Sequence, residues 1–471
     1  MRILLVNPPY ESPFIREGRC QSPQSMRKNS IPQMTLAYMG GILGEEGHQL
    51  RIYDCVASGL NELDLLSELR TFDPQMAFIN TTTPTINSDV SFAKNLKDRF
   101  PGLVTIAFGT HVTALHQEVL AENPSLDVVI RTEPEFAALD ISNSVREGKI
   151  PDPIPGCTIR INGEIVVCPD RPYSTGLDKL EHPAWQSLPL DQYIHPVFKK
   201  PYLSVNTARG CKHRCIFCVA PRYYGNSERF RSPESVVREI RRNIDQFGIR
   251  HFWFYADDFT ADPEYVKSLC RAMMNAELDI VWWSNTRVDK LDEEMFLMMK
   301  KSGAVMLSIG GESGSKEVLR RMKKASRPEF IKETVDLLRR VGIDSVVYFL
   351  FGLPGETKET IRETIDFAKS ANPDYAEFYP ATPYPGTEFY DFAAREGMIQ
   401  ADEWDGYQYG DTVLNLPGIE ASELRSLIKR AYTEFYFRPS YIPVVLRKMA
   451  RPRDFLRLLK FGFGYLSGVL K

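Results

Sequence analysis

The 471 residues predict an α/β chain with two parallel-sheet units and a helical carboxyl-terminal region. Three observations carry this. Short apolar strands alternate with helix-length amphipathic segments from residue 2 to about 147. The alternation resumes at Tyr202 with six further strand-and-helix pairs, then stops after Gly406, and a helical tail begins near Glu420. Five βα units in the first stretch favour an open, doubly wound parallel sheet, and the later six an incomplete (βα)6 barrel. The expected divisions are residues 1–147, a proline-rich connector over 148–198, a barrel over 199–400 and a helical region over 401–471.

In the first unit, strands are expected near Arg2 to Asn7, Gln49 to Asp54, Gln75 to Asn80, Leu103 to Phe108 and Asp127 to Ile130. Helical segments such as Thr35 to Glu46, Asn87 to Arg99 and Val112 to Glu122 fall between them. Ligands on such a sheet bind at the carboxyl ends of the strands. The loops there contain Pro8, Pro9 and Tyr10; Thr81, Thr82, Thr83, Pro84 and Thr85; Gly109, Thr110, His111 and Val112; and Arg131, Thr132 and Glu133. The connector has eight prolines between Pro151 and Pro196 and one hairpin around Asn162 and Gly163, which makes it a structured spacer.

In the second unit, strands are expected near Leu203 to Thr207, His251 to Tyr255, Ile280 to Ser284, Val305 to Ile309, Ser345 to Phe351 and Tyr375 to Tyr379. Directly after the first of these comes Ala208-Arg-Gly-Cys-Lys-His-Arg-Cys-Ile-Phe-Cys-Val-Ala-Pro221, with Cys211, Cys215 and Cys218 in CxxxCxxC spacing. Three soft thiolates in one compact loop suit an iron-sulfur cluster with one open iron; a zinc knuckle, the alternative, normally recruits a fourth protein ligand. Arg209, Lys212, His213 and Arg214 surround the thiols, and cationic neighbours are expected to favour thiolate. Later strand ends carry Asp257 and Asp258, Asn285 and Arg287, the string Gly310-Gly-Glu312-Ser, and Gly352-Leu-Pro-Gly-Glu356. For the carboxylates the plain alternative is helix capping, and for the Gly-Pro strings tight turns.

Composition sets limits on function. A net charge of −3 argues against a nucleic-acid-binding surface, and 43% hydrophobic residues is ordinary for a globular chain. The apolar run at the start is too short for a signal peptide or membrane span, so a cytoplasmic location is expected. Three of eight cysteines cluster, as expected of a metalloprotein in a reducing compartment.

The cysteine loop, with Phe217 before its last cysteine, resembles the radical S-adenosylmethionine superfamily. The resemblance implies a [4Fe-4S] cluster held by Cys211, Cys215 and Cys218. Its open iron would chelate S-adenosylmethionine and deliver one electron, giving a 5'-deoxyadenosyl radical. It also implies an electron donor such as flavodoxin or ferredoxin, with Glu312 and Arg287 toward the ribose and methionine parts, and Asp257-Asp258 where Gly-Gly-Glu is usual. The first 147 residues resemble the flavodoxin-like cobalamin-binding domain that precedes many such barrels. Asn7-Pro-Pro9, the Leu36 to Leu43 helix, the threonine-rich loop and Gly109-Thr-His-Val-Thr113 carry that likeness. Phe108, Thr132 and Pro134 depart from the usual glycines. No Asp-x-His-x-x-Gly string occurs in the chain, which implies cobalamin with its base displaced and no histidine replacing it. His111 is read either as a cobalamin contact or as a hydrogen-bonding residue that fixes its turn.

These resemblances imply a cobalamin-dependent radical methyltransferase acting on an unactivated carbon or a phosphinate of a small-molecule substrate. Cyclisation or rearrangement with the same cofactors is the alternative, and a non-catalytic cobalamin carrier the second. From Lys429 to Lys471 there are ten Lys or Arg and two acidic residues, and Arg453 to Lys471 interleaves basic with apolar side chains. Such a segment suits peripheral contact with an anionic membrane and a lipid or other hydrophobic substrate, or a helix closing the barrel.

Overall fold

The computed structural model describes residues 1–11, 14–18, 20–23, 31–148, 153–180, 182–287, 292–401, 403–407 and 412–449. The first sheet runs in the order Gln49–Asp54, Arg2–Asn7, Met76–Thr81, Val104–Gly109, Val128–Ile130, all parallel. In chain order that is 2-1-3-4-5, the flavodoxin-like arrangement. Arg2–Asn7 and Met76–Thr81 are central and buried almost throughout, as expected where helices cover both faces. The connector hairpin at Asn162 and Gly163 forms, and its strands Cys157–Ile161 and Glu164–Val167 extend this sheet antiparallel beyond Val128–Ile130. The helix expected over Val112 to Glu122 is two, Thr110–Ala114 and His116–Glu122, because Leu115 leaves helical geometry at φ −116°, ψ 40°.

The second sheet has six parallel strands in sequential order: Leu203–Asn206, His251–Tyr255, Val281–Thr286, Ala304–Glu312, Asp344–Phe351 and Tyr375–Pro380. Pro233–Phe247, Glu293–Lys301 and Pro328–Val341 are helices that connect these strands. Ser232 caps the first and Asp292 the second, each accepting a backbone N–H, and proline stands at the start of the first and third. In the carboxyl-terminal region, Ala421–Tyr436 packs on Tyr375–Pro380, and Ile442–Met449 follows. The segment Arg453 to Lys471 lies outside the described residues. Among those described, no helix is long and apolar enough to cross a membrane.

One continuous hydrophobic core runs from Ile3 and Leu5 through Trp185, Tyr193 and Tyr202 into the barrel. The connector reaches it through a glycine pair. Ala184 donates its backbone N–H to the Ala37 carbonyl at 2.8 Å, and a Cβ at Gly41 would collide with the His182 backbone. The two units are also joined by the buried Tyr38, whose hydroxyl meets Glu239 at 3.0 Å, while Arg231 pairs with the same carboxylate.

Glu356, fully buried after Asp344–Phe351, accepts the backbone N–H of Gly352 at 2.6 Å and of Leu353 at 3.0 Å. Burial pushes its carboxyl up to about 8 against those two donors. A folded-state pKa raised above the unfolded one means stability present in full below the unfolded pKa and lost as pH rises toward 8. Glu356→Gln should therefore lose less stability than the parent between pH 6 and 9, measured by urea unfolding midpoints.

Candidate active site

The strand Leu203–Asn206 delivers the chain through Ala208–Arg209 to the cysteine loop at the barrel's carboxyl-terminal rim. Cys211 is buried, Cys215 and Cys218 half-buried, and all three are free thiols. Gly210, at φ 86°, makes the entry turn, and a Cβ there would collide with the Ser227 carbonyl oxygen. Its N–H donates to Asp257 Oδ2 at 2.9 Å. Asp258 Oδ1 accepts the Arg287 N–H at 3.2 Å, the Arg287 guanidinium reaches Cys215 Sγ at 3.4 Å, and its other nitrogen donates to the Ala325 carbonyl at 3.3 Å. Strand ends far apart in sequence thus meet on one loop: Asp257, Asp258, Arg287 and the thiols lie together.

Glu312 sits in the left-handed region at φ 59°, where Ala304–Glu312 slips register against Asp344–Phe351. A non-glycine residue held there is strained, and such strain concentrates at functional sites. Lys324, not singled out from sequence, binds Glu312 at 2.8 Å, and both are buried. Nothing in the local sequence sets Lys324 apart from Lys323, which is exposed and pairs with Glu388. Phe217 is half-buried against the core.

Cys211 departs from expectation in one respect. Burial pushes the Cys211 thiol up to about 12, with Cys218, Asp258 and Asp257 adding to the rise. Arg209 and Lys212 do not offset it because they point elsewhere: Arg209 into Glu135 at 2.5 Å, Lys212 toward Glu228 at 3.7 Å. Iron bound at Cys211 would displace that proton, since a metal-ligating cysteine is a thiolate.

At the first sheet's carboxyl ends, the predicted residues divide. Thr82 and Thr85 bond each other at 2.8 Å, and Thr85 donates to Asp89 at 2.6 Å. Arg16, missed from sequence, is fully buried and ties this loop together: its guanidinium meets Thr85 Oγ1 at 3.0 Å, Asn7 Oδ1 at 3.0 Å, the Pro8 carbonyl at 2.8 Å and Asp89 at 2.8 Å. Only its unexpected inward course, on the strand Phe14–Glu17, reveals it. The Thr83 N–H donates instead to Gln21 Oε1 at 2.9 Å. Pro9 is half-buried. Gly109 at φ 128° approaches the Thr81 carbonyl too closely for any side chain, and Thr110 and Val112 are buried beside it.

His111 Nδ1 lies 3.3 Å from Thr83 Oγ1, and the ring meets Trp404 edge-on at 4.9 Å. Burial pushes its pKa down to about 3, so the ring is neutral in any ordinary buffer. Glu133 does not face the cradle. Its carboxylate takes Arg229 at 2.7 and 3.1 Å and the Ser174 N–H at 3.3 Å. The physical reason is charge: two arginines in the adjoining interface claim it before any neutral ligand would.

Between the two units lies a cavity of about 480 Å³, lined by Thr113, Arg131, Thr132, Arg214, Arg222 and Cys215 among others. Its wall is shared by loops from both sheets, so a group held by one unit there can meet a group held by the other. Three thiols fit a cluster chemically. No three His, Cys, Asp or Glu side chains converge on a single ion position among the described residues, and a four-iron cluster asks for none, since each of its thiolates binds a different iron.

Residues 205–368 match the radical SAM superfamily and residues 26–141 the B12 binding domain. The chain is 30% identical over 442 residues to the uncharacterized methyltransferase PH0819 of Pyrococcus horikoshii, covering 94% of each. It is 26% identical to the anaerobic magnesium-protoporphyrin IX monomethyl ester cyclase of Rubrivivax gelatinosus, covering 98% of this chain and 83% of that one. Its fold is similar to that of the cobalamin-dependent S-adenosylmethionine radical enzyme OxsB, solved with aqua-cobalamin and S-adenosylmethionine, at TM-score 0.74 and 15% identity over 97% of this chain and 72% of that chain. With its B12 binding domain, barrel and cysteine loop, the chain belongs to the cobalamin-dependent radical S-adenosylmethionine enzymes, whose cofactors are a [4Fe-4S] cluster, S-adenosylmethionine and cobalamin.

Proposed function

We propose that the protein is a methyltransferase of this family, placing a methyl group on an unactivated carbon, or a phosphinate, of a small-molecule substrate. The observation that carries this reading is the likeness to a methyltransferase along 94% of both chains. Cys211, Cys215 and Cys218 would hold the cluster. Asp257, Asp258, Arg287, Glu312 and Phe217 would surround S-adenosylmethionine, with Lys324 fixing the Glu312 carboxylate. Pro8, Pro9, Thr82, Thr83, Thr85, Gly109, Thr110, His111 and Val112 would form the cobalamin floor. Most of its hydroxyls are satisfied within the protein, so this floor works by shape more than by hydrogen bonds to the ligand. Glu133 belongs instead to the interface. When bound, the cofactors supply the radical and the methyl carrier; the chain supplies orientation and exclusion of water. The divisions at 147, 198 and 400 are proposed as functional units, with the connector hairpin attached to the first sheet.

Cyclisation is the second reading, favoured by the likeness to the Rubrivivax cyclase. Product ratios separate the two. Methyl transfer by this chemistry consumes one S-adenosylmethionine as methyl donor and one as radical source, so S-adenosylhomocysteine and 5'-deoxyadenosine should accumulate equally during turnover. Deoxyadenosine formed with product but without S-adenosylhomocysteine would favour cyclisation.

A further inference from the structure

In the proposed function the cysteine loop of the barrel would hold the cluster and the first sheet would hold cobalamin, so the spacing of the two cofactors would depend on how the two units are locked. Arg209 lies two residues before Cys211 and is 1% exposed. It does not face the cluster loop. Its guanidinium forks onto Glu135, Nη2 to Oε1 at 2.5 Å and Nη1 to Oε2 at 3.1 Å, with Glu133 Oε1 at 3.5 Å. Both acids stand where Val128–Ile130 of the first sheet leads into the helix Pro134–Arg146. The Tyr224 ring lies under the guanidinium at 5.3 Å.

A second arginine completes the arrangement. Arg229 pairs antiparallel with Arg209 through the backbone and holds Glu133 at 2.7 Å. It also donates to the Ser174 carbonyl of the connector at 2.6 Å and to the Tyr224 carbonyl at 2.5 Å. Two acids from the first unit face two arginines from the barrel, and the charges balance. Burying ions costs several kcal/mol each, and well-packed apolar residues would often serve stability as well. What a bidentate fork adds is direction: it fixes the guanidinium plane, and with it the backbone that enters the cysteine loop.

The exit from that backbone is equally constrained. Gly210 donates to Asp257, and the Cys211 N–H donates to the Gly225 carbonyl at 3.1 Å. From these contacts we infer that Arg209, gripped by Glu135 and Glu133, is a positioning residue that sets the cluster loop against the cobalamin-binding unit. Cleavage of S-adenosylmethionine needs only the cluster and the barrel. Transfer of its methyl group to cobalamin needs the two units in register. The inference rests on the assignment of the cluster to this loop.

Two substitutions and one control test it. Glu135→Gln removes one charge of the fork, Arg209→Lys keeps the charge but loses the planar geometry, and Tyr38→Phe removes a separate contact between the units, the hydroxyl that bonds Glu239 and the Asn206 N–H. In the cofactor-free protein, backbone hydrogen exchange over residues 207–211 should accelerate in both fork variants and stay at the parent rate in Tyr38→Phe. In the reconstituted protein, methyl transfer from S-adenosylmethionine to cobalamin should fall about 100-fold, the scale expected of a displacement near 1 Å. Deoxyadenosine formation should stay within a few-fold of the parent. Unchanged exchange in both fork variants would overturn the inference. So would equal acceleration in Tyr38→Phe, or equal loss of both half-reactions. Should Glu135→Gln fail to fold, Arg209→Lys decides alone. If the cluster assignment itself were wrong, the parent protein would bind no iron and cleave no S-adenosylmethionine, while the exchange comparison would still report on the fork.

Discussion

Replacing any one of Cys211, Cys215 or Cys218 with alanine should abolish deoxyadenosine formation. Each thiol would supply one of the cluster's three protein ligands, so its loss would leave a second iron without a protein ligand and remove the asymmetry that directs S-adenosylmethionine to a single site. The parent protein, reconstituted anaerobically, should carry about four irons per chain, and each variant clearly fewer. The effect should be local. Cys215 and Cys218 are half-buried at the rim, and the barrel core beneath them closes over Phe254, Trp282 and Leu307 without their help. Far-ultraviolet circular dichroism should therefore match the parent. Full activity in any one variant would remove that residue from the ligand set.

The largest effect on stability should come from Arg16→Leu. The guanidinium is 0% exposed and satisfies four acceptors at once, among them the Asp89 carboxylate, itself 0% exposed. Leucine leaves that carboxylate buried without its counter-charge, and breaking a buried pair from one side costs about 3–5 kcal/mol. Because Arg16 also ties Pro8 to Thr85, the variant should lose cobalamin affinity even in conditions where it remains folded. Urea unfolding and cobalamin titration would read the two effects. Asp89→Asn, which keeps a hydrogen-bond acceptor, should cost less than Arg16→Leu; the reverse order would mean that the positive charge is not what organises the loop.

Much of the fold was legible because its strands and helices are locally consistent. His251–Tyr255 is an unbroken aromatic run buried in a parallel sheet, and Pro233–Phe247 carries its own cap and its terminal glycine, Gly248. Where local signals ran out, tertiary contacts decided. Nothing in the periodicity of Val112 to Glu122 shows that Leu115 breaks the helix. The attachment of Cys157–Ile161 to the first sheet depends on pairing with Val128–Ile130, some thirty residues earlier in order of magnitude.

The site divides in the same way. The cysteines were visible through spacing, and Asp257, Asp258 and Arg287 through their place at strand ends. Glu133 carries the same placement signal yet is drawn into the interface by Arg229, a partner 96 residues away. Arg16 and Lys324 were invisible for a simple reason: in sequence each resembles a solvated surface cation, and only the folded chain buries it against a carboxylate. Charge near the thiols misled for the complementary reason, since Arg209 is adjacent in sequence but turned away in space.

Isotope transfer tests methyl transfer most directly. The reconstituted protein would be incubated anaerobically with a reductant, cobalamin, S-adenosylmethionine carrying a trideuterated methyl group, and a small-molecule extract from cells lacking the protein. Mass spectrometry should find a compound consumed and a new one bearing the deuterated methyl group, formed only when deoxyadenosine is formed and absent with Cys215→Ala. A product that appears with deoxyadenosine but carries no deuterated methyl would contradict methyl transfer and establish cyclisation or rearrangement in its place.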